Sequence, residues 1–244
     1  MAASRPRIDV SADFESLAHR VAQWITDLAC ATPGRFAIAL SGGSTPKRLF
    51  QVLAATPLRD QVPWDRFHAF WGDDRFVPWS DPNSNYGMAN EALLSHVPIP
   101  PANIHGIKYE GSLDEAAQAY ERELKSFYGS DTLDPKRPLF DVVLLGMGPD
   151  GHTASLFPGK PALEEHERWV VGVPVPGLNP QVPRVTLTFK ALGSSRSTAF
   201  VAAGADKTAM MNRVLAGDRG LPSARVAPQN ELVWFVDKAA RSQS

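Results

Sequence analysis

The segment Phe36-Ala-Ile-Ala-Leu-Ser-Gly-Gly-Ser-Thr-Pro46 indicates the fold more directly than any other part of the chain. Its first five residues are an unbroken apolar run, which is typical of a parallel strand covered on both faces by helices. Two glycines follow this run. Thr45 and Pro46 are residue types favoured at the N-cap and the first position of a helix. The segment therefore predicts a strand, a glycine loop and a helix in that order, with Thr45 as the N-cap.

The same order recurs along the chain. Apolar runs that begin at Phe67, Asp141 and Thr198 each lead into a loop containing glycine and charged residues. Apolar side chains at helical spacing follow Ser11, a candidate N-cap, and recur over residues 113–127. Strands that alternate with helices predict an α/β fold of three layers, in which a Rossmann-like, mainly parallel sheet is flanked by helices.

Three further apolar runs predict strands, at Val170–Val175, Val185–Phe189 and Leu232–Val236. Their order and direction in a sheet are left open. The chain of 244 residues has no internal repeat and no convincing linker. We therefore predict one domain over residues 1–244, with the Pro-rich stretch 174–183 as a rigid loop.

Composition narrows the classes of partner. Lys and Arg number 25 against 26 Asp and Glu, without a basic stripe, so nucleic-acid binding is not expected. No apolar run approaches the ~18 residues of a membrane span, and the N-terminus lacks the apolar stretch of a signal peptide. Cys30 lies in an apolar helical pattern, which predicts a buried, unreactive thiol. These features predict a cytoplasmic protein with no membrane association and no obligate protein partner.

In an open parallel sheet, ligands bind where the loops at the carboxyl ends of the strands meet. The first such loop offers backbone N–H groups, hydroxyls and a helix N-terminus, which together favour a phosphate. It lacks the signatures of a Walker loop and of a dinucleotide site. A tight turn that requires glycine is the alternative. The candidate phosphate-binding residues of this loop are Ser41, Gly42, Gly43, Ser44 and Thr45.

The second loop places Asp73, Asp74 and Arg75 directly after an apolar run. Charge in that position is costly unless it is paired or used, so these residues form a candidate catalytic cluster. An Asp–Arg ion pair that braces the loop is the alternative. His68, within the preceding strand, is interpreted as a structural histidine.

The third loop, Gly146–Pro158, is the most informative. Its glycines allow close approach of the backbone to a ligand, and Gly151 precedes His152, which we place at the start of a short helix. Histidine there can accept a proton near neutral pH. Asp150 could orient the imidazole ring or cap the helix, and capping alone is the favoured single role.

Two cations complete the candidate site. Lys207 follows a strand end and would open the next helix, from which its ammonium could reach a phosphate. Arg184 precedes its strand, so it reaches the same crevice only if that strand is antiparallel or the Pro-rich loop folds over. An exposed charge at a strand edge is the alternative for Arg184.

Taken in order, these segments resemble the 6-phosphogluconolactonase family, whose motifs they match over nearly the whole chain. One residue departs from the family pattern, because Asp74 stands where a glutamate is usual. The resemblance also implies a fold shared with glucosamine-6-phosphate deaminases. Those enzymes have a glutamate for ring opening where this chain has Phe157. The matching segments are Ala39–Pro46, Trp71–Pro78, Asn83–Gly87, Gly146–Pro158, Arg184–Thr188 and Gly204–Lys207.

The resemblance implies hydrolysis of 6-phospho-D-glucono-1,5-lactone in the oxidative pentose phosphate pathway, without metal or organic cofactor. His152 would be the general base, with Asp73 and Arg75 as further catalytic residues. The phosphate would be bound by the first loop, Lys207 and Arg184, with Gly151 also in contact with the substrate. A sugar-phosphate isomerase or deaminase and a sensor that binds without turnover are the alternatives, and Phe157 argues against the former.

Overall fold

A computed structural model describes residues 6–241 of the chain, apart from residues 176 and 178. Six of its strands form a parallel sheet in the order β1-β9-β8-β5-β2-β3, and three form an antiparallel sheet in the order β4-β7-β6. The strands are β1 Arg7–Ser11, β2 Phe36–Leu40, β3 Phe67–Trp71, β4 Asp73–Arg75, β5 Phe140–Leu145, β6 Val170–Val173, β7 Arg184–Leu187, β8 Ser195–Ala202 and β9 Glu231–Asp237.

Helices flank the parallel sheet, which confirms the predicted α/β fold. The first two helices pack against each other, and the fifth contacts β6 and β7 of the small sheet. The α-helices are α1 Phe14–Ala31, α2 Ser44–Leu53, α3 Leu58–Gln61, α4 Asn85–Ala92, α5 Leu113–Tyr128, α6 Phe189–Gly193, α7 Thr208–Leu215 and α8 Lys238–Arg241.

Local sequence accounts for several of these elements. Every residue of β2 is buried, as its unbroken apolar run predicts. Helix α5 begins with a capping box between Ser112 and Glu115 and ends at Gly129 in the left-handed conformation. Its buried side chains recur on one face, so the helix covers the core with an apolar stripe.

Two predicted helix starts are wrong. Helix α2 begins at Ser44 with Gly43 as its N-cap, so Thr45 is the second helical residue. Helix α1 has Asp13 as its N-cap, and the Asp13 carboxylate accepts the backbone N–H of Ser16 at 2.8 Å. Ser11 instead ends the edge strand β1, which we did not predict because polar and apolar residues mix in it.

Other boundaries also differ. The predicted strands at Val170–Val175 and Val185–Phe189 end at Val173 and Leu187, and Phe189 begins α6. The predicted burial of Cys30 is wrong, because this residue is exposed on the last turn of α1. Residues 1–5 and 242–244 of the predicted domain, and residues 176 and 178 of the predicted rigid loop, lie outside the described residues. No helix in the described ranges is long and apolar enough to cross a membrane.

Candidate active site

A cavity of about 160 Å³ lies where the loops after β2 and β5 meet β4 and the start of β7. Both sheets therefore contribute to it, and its position follows the rule that ligands bind at the carboxyl ends of parallel strands. Three of the four predicted motifs supply most of its wall. The residues that line the cavity are Ser41, Gly42, Gly43, Asp73, Arg75, Asn85, Gly146, Met147, Gly148, His152, Ala154 and Arg184.

His152 is oriented by its neighbour Asp150. The Asp150 carboxylate lies 2.5 Å from Nδ1 of His152 and also accepts the backbone N–H of His152 at 3.2 Å. A carboxylate is an acceptor, so Nδ1 carries the hydrogen and Nε2 keeps the lone pair that can take a proton. The predicted helix after His152 is wrong, because residues 153–156 form a turn. Helix capping by Asp150 is therefore wrong as well.

Glycine is required opposite the imidazole ring. A Cβ at Gly148 would lie 2.0 Å from ring atoms of His152, well inside van der Waals contact. The backbone N–H of Gly148 also donates to the carbonyl of His152 at 2.9 Å, which closes the loop around the ring. We predicted that the glycines of this loop let a ligand approach the backbone. At Gly148, the imidazole ring of His152 occupies that space.

Asp73 and Asp74 have different surroundings. The Asp73 carboxylate lines the cavity and accepts the hydroxyl of Ser155 at 2.6 Å, with both residues buried. Ser155 was not predicted as a site residue. Its backbone N–H donates to the Thr186 hydroxyl at 3.2 Å. Through these two hydrogen bonds, Ser155 joins the histidine loop to both β4 and β7.

Asp74 supports the start of α4 and does not line the cavity. Its carboxylate accepts the backbone N–H groups of Arg75, Asn85 and Tyr86 at 2.6–2.9 Å and the Ser84 hydroxyl at 3.3 Å. Burial raises the pKa of Asp74 to about 6, against the hydrogen bonds from these backbone groups. The residue that departs from the family pattern therefore acts on the backbone around the site.

Arg75 is held by α4. Its Nη1 donates to the Asn83 carbonyl at 2.8 Å and to Oδ1 of Asn85 at 2.7 Å, while Nδ2 of Asn85 donates to the Asp73 carbonyl at 2.9 Å. Asn85 also fills the space beside Gly42, where a Cβ would lie 1.9 Å from Oδ1. Asn85 was missed as a site residue, although it lies in the quoted segment 83–87.

Arg184 enters the cavity because β7 is antiparallel to β4. The pairing sets Arg184 directly opposite Arg75, and Arg184 is only 4% exposed, so an exposed edge charge is the wrong interpretation. Its Nη2 donates to the Pro180 carbonyl at 3.2 Å, and its Nε has no hydrogen-bond partner among the described residues. Burial lowers the pKa of Arg184. Two neighbouring guanidinium groups favour an anion between them.

The predicted phosphate loop divides between two cavities. Ser41, Gly42 and Gly43 line the cavity of His152, whereas Ser44 lines an adjoining cavity of about 580 Å³ that also borders Arg75. The described lining of either cavity does not include Thr45. The first three residues of the loop are thus the ones that the fold places near the imidazole.

Gly151 and Lys207 are not among the described residues that line the His152 cavity. The carbonyl of Gly151 accepts the Ser223 hydroxyl at 2.9 Å, which ties the histidine loop to residues 222–224. Lys207 is the N-cap residue of α7, as its predicted place at a helix start requires. Its ammonium lies 3.5 Å from the Asp206 carboxylate.

Metal ions in proteins are held mainly by groups of His, Cys, Asp and Glu side chains. Among residues 6–175, 177 and 179–241, no group of three or more His, Cys, Asp and Glu side chains could hold a metal ion. Outside the cavity, His105 pairs with Glu123 at 2.8 Å and with His68 at 3.1 Å, and His19 and His166 each lie near one glutamate. The cavity offers a base, one carboxylate from Asp73, two guanidinium groups and glycine N–H groups.

Comparison with known proteins gives consistent results. The chain is 42% identical over 221 residues to a 6-phosphogluconolactonase from Nostoc sp., covering 89% of this chain and 88% of the relative. The solved structure of 6-phosphogluconolactonase from Trypanosoma brucei superposes with a TM-score of 0.84 at 31% identity, covering 96% of this chain and 97% of that one.

A monomeric glucosamine-6-phosphate deaminase superposes with a TM-score of 0.80 over 96% of this chain and 98% of that one, at 18% identity, and so shares the fold. The family model described as glucosamine-6-phosphate isomerases/6-phosphogluconolactonase matches residues 10–234. With its fold, its cavity and this match over most of its length, the chain belongs to the glucosamine-6-phosphate isomerase/6-phosphogluconolactonase family.

Proposed function

We propose that this protein is a 6-phosphogluconolactonase, which hydrolyses 6-phospho-D-glucono-1,5-lactone to 6-phospho-D-gluconate in the oxidative pentose phosphate pathway. Family membership supports the reaction class, and the relatives named above carry this activity in their names. The observation that carries the mechanism is the contact of 2.5 Å between Asp150 and His152 at a cavity that two arginines also line.

His152 would act as the general base. With Nδ1 held by Asp150, Nε2 takes a proton from water, and the resulting hydroxide attacks the lactone carbonyl carbon. The tetrahedral intermediate then releases the ring oxygen, which recovers the proton from the imidazolium. The Asp150 carboxylate orients the ring and also stabilises the imidazolium that forms between these two steps.

The remaining groups of the cavity have roles that follow from charge. Arg75, fixed by Asn85, would stabilise the oxyanion together with loop N–H groups, and Asp73 would orient a hydroxyl or the attacking water. Arg184 and the loop Ser41 to Gly43 would bind the phosphate. Four further residues remain predicted substrate contacts: Ser44, Thr45, Gly151 and Lys207. They would reach the substrate only if the substrate or the loops extend beyond the His152 cavity.

Phe157 separates this proposal from deaminase or isomerase chemistry. Its ring lies 4.5 Å from the His152 ring, in the position where the deaminases are expected to have a glutamate. A phenylalanine cannot exchange a proton, so a second acid/base group for ring opening is not supplied from that position. We further propose a cytoplasmic enzyme with a small-molecule substrate, no cofactor and no obligate protein partner.

Hydrolysis of freshly generated 6-phosphogluconolactone tests the proposal, with correction for spontaneous opening and a chelator present throughout. We expect rapid turnover by the wild type and a loss of about 10²–10⁴-fold in His152→Ala. The matched control His166→Ala, which removes an exposed histidine, should retain wild-type activity. A folded wild type that binds 6-phosphogluconate without accelerating hydrolysis would replace the enzyme with the sensor. Loss of activity on chelation would contradict the absence of a metal.

A further inference from the structure

Phe157 contacts two side chains of the cavity at once. Its ring centroid lies 4.5 Å from that of His152, with the planes tilted by 38°, and 5.4 Å from the guanidinium carbon of Arg184. The ring is 1% exposed, and the described residues that line the cavity do not include it. One buried ring therefore contacts both the candidate base, His152, and a candidate phosphate-binding residue, Arg184, which come from different parts of the chain.

Arg184 has few hydrogen-bond partners, although Asp73 and Asp74 supply negative charge nearby. It is 4% exposed, yet its hydrogen bond within the described residues is the one to the Pro180 carbonyl, and its Nε is unpaired there. A buried cation normally requires a counter-charge or a polar partner. The face of an aromatic ring attracts a guanidinium group without neutralising it, and this attraction is strongest away from water.

We propose that Phe157 is a positioning residue, whose ring holds both the Arg184 guanidinium and the His152 imidazole for the reaction. A carboxylate in its place would pair with Arg184 and cancel the charge that an anionic ligand needs. An aliphatic side chain would fill the space but leave the guanidinium and imidazole groups free to adopt other rotamers. The inference rests on the proposed function for His152 and on the phosphate monoester as the ligand of Arg184.

Phe157 is tightly packed where it contacts both side chains. A Cβ on Gly177 would lie 2.9 Å from the ring, so there is no room for a side chain at that position. The same buried ring contacts both partners. Loss of the aromatic ring should therefore affect both anion binding and the chemical step.

The test compares Phe157→Leu, Phe157→Met and the conservative Phe157→Tyr with the control Phe200→Leu. Phe200 is also fully buried and stacks on Trp234 at 4.2 Å, but it does not line the described cavity. Its substitution removes a packed ring from the core without touching Arg184 or His152. Calorimetric binding of inorganic phosphate and of 6-phosphogluconate is measured for every variant, together with kcat and KM for the lactone.

We expect Phe157→Leu and Phe157→Met to bind both anions about tenfold more weakly, with kcat lowered and KM raised. Phe157→Tyr should recover most of the affinity, and Phe200→Leu should lose stability but bind normally. Wild-type affinities and kcat in Phe157→Leu or Phe157→Met would overturn the inference, as would equal losses in Phe200→Leu. If the wild type had no lactonase activity but Phe157→Leu still lost phosphate affinity, the proposed function would be rejected. The inferred contact of Phe157 with Arg184 would then still hold.

Discussion

The side-chain amide of Asn85 connects three segments around the cavity. It accepts from Arg75, donates to the carbonyl of Asp73 and occupies the space left open by Gly42. Among the described residues, the Arg75 side chain has one further hydrogen bond, to the carbonyl of Asn83 at 2.8 Å, so Asn85 supplies one of its two. At the scale of one residue, the position of the Arg75 guanidinium depends on a side chain that needs no contact with the substrate.

Asn85→Ala should therefore weaken catalysis through Arg75. We expect kcat/KM to fall about 100-fold, because a guanidinium that moves by an ångström no longer matches the oxyanion. The free energy of unfolding should fall by about 1–3 kcal/mol, because buried polar groups lose a partner. Steady-state kinetics and urea unfolding measure the two effects. The control Asn90→Ala changes an exposed residue on the same helix, and equal activity of the two variants would refute the role of Asn85.

At the scale of the residue, local context in the sequence predicts which side chains lie together at the cavity. The histidine loop, Asp73 and Arg75 were all identified from charge or glycine next to a strand end, and the structure places them at one cavity. Asn85 and Ser155 were missed because their importance comes from partners far away in sequence. Ser155 bonds to Asp73, which precedes it by 82 positions, and no local pattern marks such a pair.

At the scale of secondary structure, His68 of β3 pairs with His105 of a neighbouring loop, outside the cavity. Nδ1 of His68 lies 3.1 Å from Nε2 of His105, whose Nδ1 lies 2.8 Å from Glu123. With Nδ1 of His105 donating to Glu123, Nε2 of a neutral His105 accepts the hydrogen on Nδ1 of His68. Burial, followed by the charges of His105 and Arg35, lowers the pKa of His68 to about 4.

This pKa predicts a dependence of stability on pH. His68 is neutral in the folded state but has a pKa near 6.5 when unfolded, so its contribution is present above pH 6.5 and is lost as the pH falls through 4. Because the ring is only half-buried, we expect a change of about 1–2 kcal/mol. The difference in unfolding free energy between wild type and His68→Gln should shrink by this amount from pH 7 to pH 4.

Urea unfolding at both pH values measures this difference. The variant is needed as a reference because Asp74 also changes the stability of the fold with pH, in the opposite sense. The raised pKa of Asp74 gives a stabilising contribution that is present below pH 3.8 and is lost as the pH rises through 6. The control His166→Gln removes an exposed histidine, and the change for His68→Gln should be larger than the change for this control. A constant difference for His68→Gln would contradict the proposed cost of charging the ring.

The elements also show which parts of the fold a sequence reveals. Strands buried on both faces, such as β2 and β5, have apolar runs and were predicted. In the small sheet, apolar runs also predict β6 and β7, but not β4, because its three residues are charged and pair with β7 from far along the chain. The direction of β7, which decides whether Arg184 reaches the cavity, is set by that pairing and leaves no local pattern.

At the scale of the whole molecule, the cavity joins the two sheets. Ser41 to Gly43 follow a strand of the parallel sheet, whereas Arg75 and Arg184 belong to the antiparallel one. An anion bound between them would link both sheets in the folded state only. Ligand binding should therefore raise the stability of the entire fold, and we expect the described elements to unfold together, in line with the predicted single domain.

Thermal unfolding with 6-phosphogluconate tests this link. At about 100 times the dissociation constant, a ligand adds about 2.7 kcal/mol, which for a chain of this length raises Tm by about 5–10 °C. Arg184→Met keeps an apolar stem without the charge, so at the same ligand concentration its shift should be less than half that of the wild type. Gluconate, which lacks the phosphate, should shift neither protein.

The control for this experiment is Arg196→Met, which removes an exposed arginine that pairs with Asp141 at 3.3 Å on the parallel sheet. It should show the full wild-type shift. If Arg184→Met also kept the full shift, the phosphate would be bound elsewhere, and Lys207 at the start of α7 would become its principal ligand. An equal response to gluconate would instead mean that the cavity recognises the sugar hydroxyls, because the phosphate would then add nothing to the free energy of binding.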